Sequence, residues 1–327
     1  MTADAAAHLT IWAVSDGRAG MRDQAVGLAE AVARKRSSRV SVKTIGWRAG
    51  IGRLPTRFNL APRLLLTPGG GVRPPWPDLW IAAGRATLPL SMRMRRWSGG
   101  RTFVVQTQHP RMDLAAFDLV IPPEHDGLAG PNVFAIAGAP HGVTPERLTA
   151  EAARFAAAID PLPHPRVAVL IGGTSKAFDL PPARAWAMAG EIEQAMQVSQ
   201  GSLMLTFSRR TPETARALIT ERLAALPGII WDETGDNPFQ AFLGSADAIL
   251  VSEDSANMAA QAAATGKPVM ILKMAGESGK FRRFHEDLAS RGVSRPFAGR
   301  LETWTYAPLV ETDRAADEVL RRLGARR

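Results

Sequence analysis

ADAILVSEDSANMAAQAAATGKPVMIL, residues 246–272, holds one complete strand–loop–helix–strand unit. Its apolar runs at 247–251 and 268–272 do not alternate with polar residues, so each predicts a strand buried on both faces. Between them an alanine-rich helix starts at Asp254 and stops at Gly266, a natural C′ residue, ahead of Pro268. Asp254 alone suits a plain helix cap. Asn257 and Gln261 follow at i+3 and i+7 with Met258 beside them, which puts three polar side chains on one helical face. A cap does not account for Asn257 and Gln261, and the hydroxyls of a ligand do. Glu253 and Ser255 complete the polar mouth.

The same unit recurs in both directions. Strand-like runs lie at 9–14, 40–46, 78–83, 102–106 and 118–121, with helical stretches at 21–36 and 86–97. A short helix over 146–159 leads into DPLPHP, 160–165, whose three prolines predict an extended linker. The pattern restarts with strands at 167–171, 202–207 and 228–231 and helices at 182–198, 212–225 and 237–243. The expectation is an α/β fold of two facing Rossmann-like domains with a cleft between them. The boundaries read as 1–160 and 161–327, with the last helix free to pack back on the first domain. Ligands of such sheets sit beyond the carboxyl ends of the strands.

Three further motifs stand at those ends. SDGRAG, 15–20, follows the first strand, and Gly17 and Gly20 permit a positive φ and close approach of an anion to a helix start. A tight turn with Asp16 as a cap explains the same residues. GGTSKAF, 172–178, offers backbone at Gly172 and Gly173, hydroxyls at Thr174 and Ser175, and the charge of Lys176, as a phosphate cradle would. It has neither Walker nor dinucleotide spacing. In SRRTP, 208–212, Thr211 and Pro212 read as a helix start, leaving Ser208, Arg209 and Arg210 at the strand end for a diphosphate.

Charge is unevenly spread. Residues 1–150 carry 19 Lys and Arg against 10 Asp and Glu, and residues 151–327 carry 21 of each. Between Ala31 and Met112 there are 16 basic residues and a single acid, Asp78, so this surface is expected to meet phosphates of lipid or nucleic acid. Aromatics at 6% and no recognition motif argue against nucleic acid. Trp47, Arg48, Arg53, Arg57, Phe58 and Arg63 interleave apolar and basic side chains as a monotopic membrane-docking segment would. No cysteine is present, which excludes disulfides and thiolate metal sites. No signal peptide is visible and no apolar run approaches ~20 residues, so a cytoplasmic, peripheral protein is expected.

Taken in order, SDGRAGMRDQAVGLAEA, IGGTSKAF, TFSRRTP and ADAILVSEDSANMAAQAAATGKPV resemble the bacterial branch of the plant mitochondrial-fission (elongated-mitochondria) family, described as GT-B-like. The resemblance implies a nucleotide-sugar donor on the second domain and an acceptor on the first, with no metal or other cofactor. It assigns Gly172 to Lys176, Ser208 to Arg210, Glu253 to Ser255, Asn257, Met258 and Gln261 to the donor. Gln261 stands where GT-B enzymes carry a glutamate, a departure that removes a charge-assisted bond to the ribose. Gly17, Arg18, Gly20 and Arg85 are candidates for the acceptor or its phosphate. Asp16, or else His109 in QTQHPR, is the candidate base that deprotonates an acceptor hydroxyl, and His109 equally suits a structural role. The activity implied is sugar transfer to an envelope lipid or glycan at the inner face of a membrane. A nucleotide-sugar 2-epimerase and a non-catalytic membrane adaptor share the same architecture.

Overall fold

A computed structural model describes residues 8–48, 62–67 and 71–326. They divide into two compact units, Met1–Gly142 with Val310–Arg327, and Val143–Leu309. Of the expected docking segment, Arg53, Arg57 and Phe58 lie outside the described residues.

The first unit is built on β1 (Leu9–Ser15), β2 (Ser38–Thr44), β3 (Leu79–Ala83), β4 (Phe103–Thr107) and β5 (Leu119–Ile121), with α1 (Ala19–Lys35) and α2 (Leu88–Trp97). All pairs are parallel in the order β2-β1-β3-β4-β5. Every residue of β3, β4 and β5 is buried, as non-alternating apolar runs require. One face is covered by α1 and by the C-terminal helix, Glu311–Ala325, whose Ala315, Val319 and Leu323 pack with Leu28 and Val32. Asp313 and Asp317 of that helix take up the charges of Arg34 and Lys35, so two cations of the basic run are neutralised here. The other face carries α2 and a tryptophan cluster of Trp12, Trp76, Trp80 and Trp97.

The second unit opens with α3 (Pro145–Arg154) and α4 (Ala156–Ile159). There follow β6 (Arg166–Ile171), β7 (Phe178–Asp179), α5 (Pro182–Ser199), β8 (Ser202–Phe207), α6 (Glu213–Leu223), β9 (Gly228–Ile230) and α7 (Phe239–Ser245). It closes with β10 (Ala248–Ser252), α8 (Ala256–Ala263), β11 (Val269–Leu272), β12 (Ala275–Gly276), α9 (Gly279–Ser290) and β13 (Ser294–Pro296). The main sheet is parallel in the order β13-β11-β10-β6-β8-β9, the doubly wound order of a dinucleotide-type sheet. Val167, Val169 and Ile171 of β6 face α5 and α6, while Ala168 and Leu170 face α7 and α8. The chain winds outward from β6 to β9, then returns to β10 on the other side of β6. The crevice between β6 and β10 is therefore the topological switch point.

The boundary falls at Gly142/Val143, not at residue 160. Val143, Leu148 and Ile159 belong to the core that α7 and α8 build, so α3 and α4 are part of the second unit. The proline run at 160–165 is a short connection within that unit, closed by a hydrogen bond from Ser202 N to the Pro165 carbonyl (3.0 Å).

Lys267, in the turn between α8 and β11, donates Nζ to the Leu243 and Gly244 carbonyls at the end of α7 (2.7 and 2.5 Å). Burial pushes its pKa from 10.5 down to about 8. Between those values the unfolded chain binds the extra proton, so stability rises with pH through the window. Denaturant titrations from pH 7.5 to 9.5 are expected to show this gain, up to ~1.4 kcal/mol per pH unit, and its loss in Lys267→Met.

Candidate functional site

The carboxyl ends of β6, β8 and β10 meet around one carboxylate. Asp254 has a side chain without solvent exposure. Its Oδ1 accepts from Ser252 Oγ (2.7 Å), and its Oδ2 accepts from Gly173 N (3.0 Å) and Arg210 Nη2 (2.7 Å). Ser252 Oγ in turn accepts from Gly172 N (2.6 Å). The Arg210 guanidinium also donates Nη1 to the carbonyls of Gly173 and Thr174 (both 3.3 Å), which fixes its plane beside the 172–176 loop. Its side chain remains 45% exposed, so a preset cation faces solvent. Arg209, Lys176, Ser175 and Thr174 are exposed around it.

Three expectations change on this geometry. The backbone at Gly172 and Gly173 is buried, and the N–H groups of residues 172–175 are bonded to Ser252 Oγ, Asp254 Oδ2, Arg210 O and Phe178 O. The glycines are there for close packing: a Cβ at 172 would stand 1.9 Å from Asp254 Oδ1, and one at 173 would stand 2.0 Å from Arg210 O. What the loop presents outward is the Ser175 hydroxyl, Lys176 and the Asp179 carboxylate, which accepts from Thr174 Oγ1 (2.8 Å). Secondly, Asp254 does not cap α8; Ser255 does, accepting from Met258 N (3.3 Å), because the Asp254 oxygens are spent on the neighbouring loops. Thirdly, Thr211 does not cap α6, which begins at Glu213; its Oγ1 bonds the Gly172 carbonyl (2.5 Å) and ties the β8 loop to the β6 loop. Ser208 Oγ accepts from Arg210 N (3.1 Å) and shapes the same turn. Asn257, Met258 and Gln261 are half-buried on α8, and Met258 packs against the core behind it.

The switch point of the first unit lies between β1 and β3, and the Asp16–Arg18 turn and Arg85 stand at those strand ends. Gly17 has φ of +80°, whereas Gly20 sits in the first turn of α1 and needs no special conformation. Asp16 accepts from Arg18 N (3.2 Å) and pairs with Arg18 Nε (2.7 Å); it does not cap α1. His109 Nδ1 accepts from Arg111 N (3.0 Å). A neutral ring then carries its proton on Nε2, so His109 stands as a donor, and acting as a base would break the Arg111 bond. Behind these residues runs a polar network absent from the sequence-based expectations. Gln24 Oε1 accepts from Thr107 Oγ1 (3.2 Å) and Gln108 Nε2 (3.1 Å), and Gln108 is held at φ of +69°.

A family model described as Mitochondrial fission ELM1 matches residues 19–323. The chain belongs to this family. It is 30% identical over 277 residues to the Mitochondrial fission protein ELM1 of Arabidopsis thaliana, covering 76% of this chain and 65% of the plant protein. It is 27% identical over 361 aligned positions to the uncharacterized protein RP120 of Rickettsia prowazekii, covering 94% of this chain and 97% of that one. Among solved structures, the UDP-GlcNAc 2-epimerase of Methanocaldococcus jannaschii in complex with UDP-GlcNAc and UDP aligns over 97% of this chain and 99% of its own, with a TM-score of 0.55 and 11% identity. UGT71G1 of Medicago truncatula, complexed with UDP-glucose, aligns over 98% and 94%, with a TM-score of 0.50 and 11% identity. The family fold is thus that of GT-B glycosyltransferases and related epimerases, with two Rossmann-like units.

Glu253, expected at the donor, is spent elsewhere, and Lys273, Met274 and His285 gather around it without a local sequence signal. Glu253 turns away from Asp254, and its carboxylate accepts from Met274 N (2.6 Å) and Lys273 Nζ (2.9 Å). His285 of α9 donates Nε2 to the Glu253 carbonyl (2.8 Å), burial lowers its pKa and so favours the neutral ring, and its buried Nδ1 has no hydrogen-bond partner among the described residues. β7 pairs with β12 and so joins the loop after β6 to the loop after β11. Beside Glu253, Lys273 and His285 lies a cavity of 510 Å³.

Asp254→Asn places a donor where three donors converge. We expect a loss of roughly 2–3 kcal/mol in urea denaturation, since Arg210 loses its charged partner and the amide keeps only one acceptor oxygen for the converging donors. A loss under about 0.5 kcal/mol, the range of ordinary surface changes, would contradict this arrangement.

Proposed function

We propose that the chain is a metal-independent GT-B-type glycosyltransferase that moves a sugar from a nucleotide-sugar donor to a lipid or glycan acceptor at an anionic membrane surface. The observation that carries the donor half is the preset Arg210. Its guanidinium is locked by Asp254 and two carbonyls at the switch point of the second sheet, with Lys176 and Arg209 exposed beside it. Three cations against two carboxylates, Asp254 and the loop's own Asp179, leave a local excess of about one positive charge, which favours an anion such as a diphosphate. Ser175, whose Oγ accepts from Ala177 N and Phe178 N, keeps its O–H for the same group, whereas Thr174 Oγ1 donates to Asp179 (2.8 Å); Asn257 and Gln261 lie on the helix that follows Asp254. Glutamine both donates and accepts, so Gln261 can meet a ribose diol without a charge.

Chemically, the donor loops hold the nucleotide, and the charge that grows on the leaving diphosphate is met by Arg210 and Lys176. Asp16 is the acceptor-side base in this reading, since an ion-paired carboxylate keeps lone pairs for an incoming hydroxyl.

The membrane half rests on the first unit. Arg63 stacks over Trp97 and Trp76 (4.8 and 5.4 Å), and the turn that carries it touches α2. Exposed Leu64 and Met92 stand on these elements with Arg96, and Arg48 is exposed at the neck of the same segment. Trp47 is half-buried and donates Nε1 to the Ala86 carbonyl (3.1 Å), which makes it a structural anchor more than a lipid contact. Among the described residues no helix is long and apolar enough to cross a membrane.

Calorimetry with UDP, GDP, CMP and ADP and their sugars should find one nucleotide that binds. Lys176→Ala and Arg209→Ala should each weaken it about five- to tenfold, the worth of one charge-assisted bond. Binding by none of them, with the fold intact, contradicts the donor assignment. Product analysis with donor alone should show no epimerised sugar. In vesicle flotation, Arg48→Glu/Arg63→Glu/Arg96→Glu should cost more than tenfold in affinity for anionic vesicles at about 1 kcal/mol per basic residue, and a wild type that does not float with them contradicts the docking half.

A further inference from the structure

The cavity beside α9 is not used by the reading above. Phe281, His285 and Ala289 of α9 line it at i, i+4 and i+8, while Phe284 and Leu288 fill the core on the opposite side of the helix. At 1.5 Å per residue this stripe runs roughly 12 Å. The facing walls come from Ile271, Phe297 and Pro296, and Phe178 closes it at the end where β7 meets β12. Phe178 and Phe281 stand edge to face at 5.3 Å, and the pair limits the bore at that end. The volume, 510 Å³, lies within the 300–1,000 Å³ usual for small-molecule sites.

Charge around the cavity is already spoken for. Lys273 pairs with Glu253 (2.9 Å), Arg282 with Glu286 (3.8 Å) and Arg295 with Glu302 (2.7 Å). Glu277, exposed at the rim, makes no ion pair among the described residues. Among the described lining residues each cation has an ion-pair partner, and Glu277 adds a carboxylate beyond those pairs, so the rim carries no net positive charge for an anionic head group. An elongated apolar bore with such a rim selects for an uncharged chain.

Two connections lead from this cavity to the donor loops. Glu253 is part of its wall and directly precedes Asp254, and its carbonyl is held by His285. Phe178 is likewise in the wall and ends the GGTSKAF loop, where Gly276 of β12 approaches so closely that a Cβ would stand 2.3 Å from the Ala177 carbonyl. A guest that moves either residue moves a loop that frames Arg210. We propose that this cavity binds the uncharged alkyl or prenyl chain of a small molecule, and that its occupancy changes the affinity of the nucleotide loops through Glu253 and Phe178. The coupling clause rests on the donor reading; the binding clause does not.

The full-length chain is titrated with 1-aminoanthracene, an uncharged fluorophore, followed by displacement with 1-decanol and decanoate. Saturable fluorescence is expected, with decanol displacing the probe at least fivefold more effectively than decanoate. Ala289→Trp and Arg282→Trp, both at exposed positions on α9, should weaken the probe at least tenfold, and Val198→Trp, exposed on α5 away from the cavity, should leave it unchanged. Melting curves accompany each variant, and either folded α9 variant suffices. No saturable signal, equal binding by the α9 variants, or decanoate at least as effective as decanol overturns the site as stated. Saturating decanol should shift the UDP affinity at least threefold in either direction, and an unchanged affinity overturns the coupling. Failure of UDP to bind at all removes the donor reading and the coupling with it, while the fluorophore result still decides the cavity.

Discussion

A single buried carboxylate organises the second unit's strand ends. Asp254 accepts one bond from the β6 loop, one from its own strand's last residue and one from the β8 loop. Left alone, a charge at such a site costs several kcal/mol, so its three donors cannot be released independently. This constraint dictates glycine at 172 and 173, where any side chain would collide with Asp254 or with the Arg210 carbonyl. It also dictates the pose of Arg210, whose guanidinium would otherwise sample many rotamers on an exposed turn. In the proposed donor reading, preorganisation of that cation is what would let the three loops hold an anion.

The first unit repeats the plan with different chemistry. Its switch point is framed by Asp16, Arg18 and Arg85, and its support is neutral: Gln24, Gln106, Thr107 and Gln108 form amide and hydroxyl bonds beneath the strand ends. Gly84, at φ of +85°, lets β3 turn over Met21, whose Sδ would lie 2.8 Å from any Cβ there. The rigid floor is amide-based in one unit and ionic in the other. The basic run is likewise divided in its surroundings, since Arg34 and Lys35 are bound to the C-terminal helix while Arg48, Arg63 and Arg96 stay exposed.

Much of this was legible in the sequence because it depends on local pattern. Non-alternating apolar runs such as 202–207 predict buried parallel strands, and β8 occupies those residues. The motifs after 167–171, 202–207 and 247–251 do converge, because parallel strands put their following loops at one edge. What was not legible depends on contacts far apart in sequence. Nothing near residue 160 tells that Val143 and Leu148 pack in the core with α7, and three prolines in six residues look like a boundary from sequence alone. Thr211 and Asp254 look like caps until the loops they tie together are known. The cavity escaped for the same reason, since its walls are drawn from residues 178, 253, 271, 281–289 and 294–297.

The central claim, that the loops locked by Asp254 hold a nucleoside diphosphate, is tested most directly by a crystal structure of the chain soaked with UDP. The account predicts the diphosphate within hydrogen-bond distance of Arg210 and Lys176, with the bond from Gly173 N to Asp254 intact. UDP bound elsewhere, or an Asp254 that has left Gly173 and Arg210 to make room for it, would contradict the account.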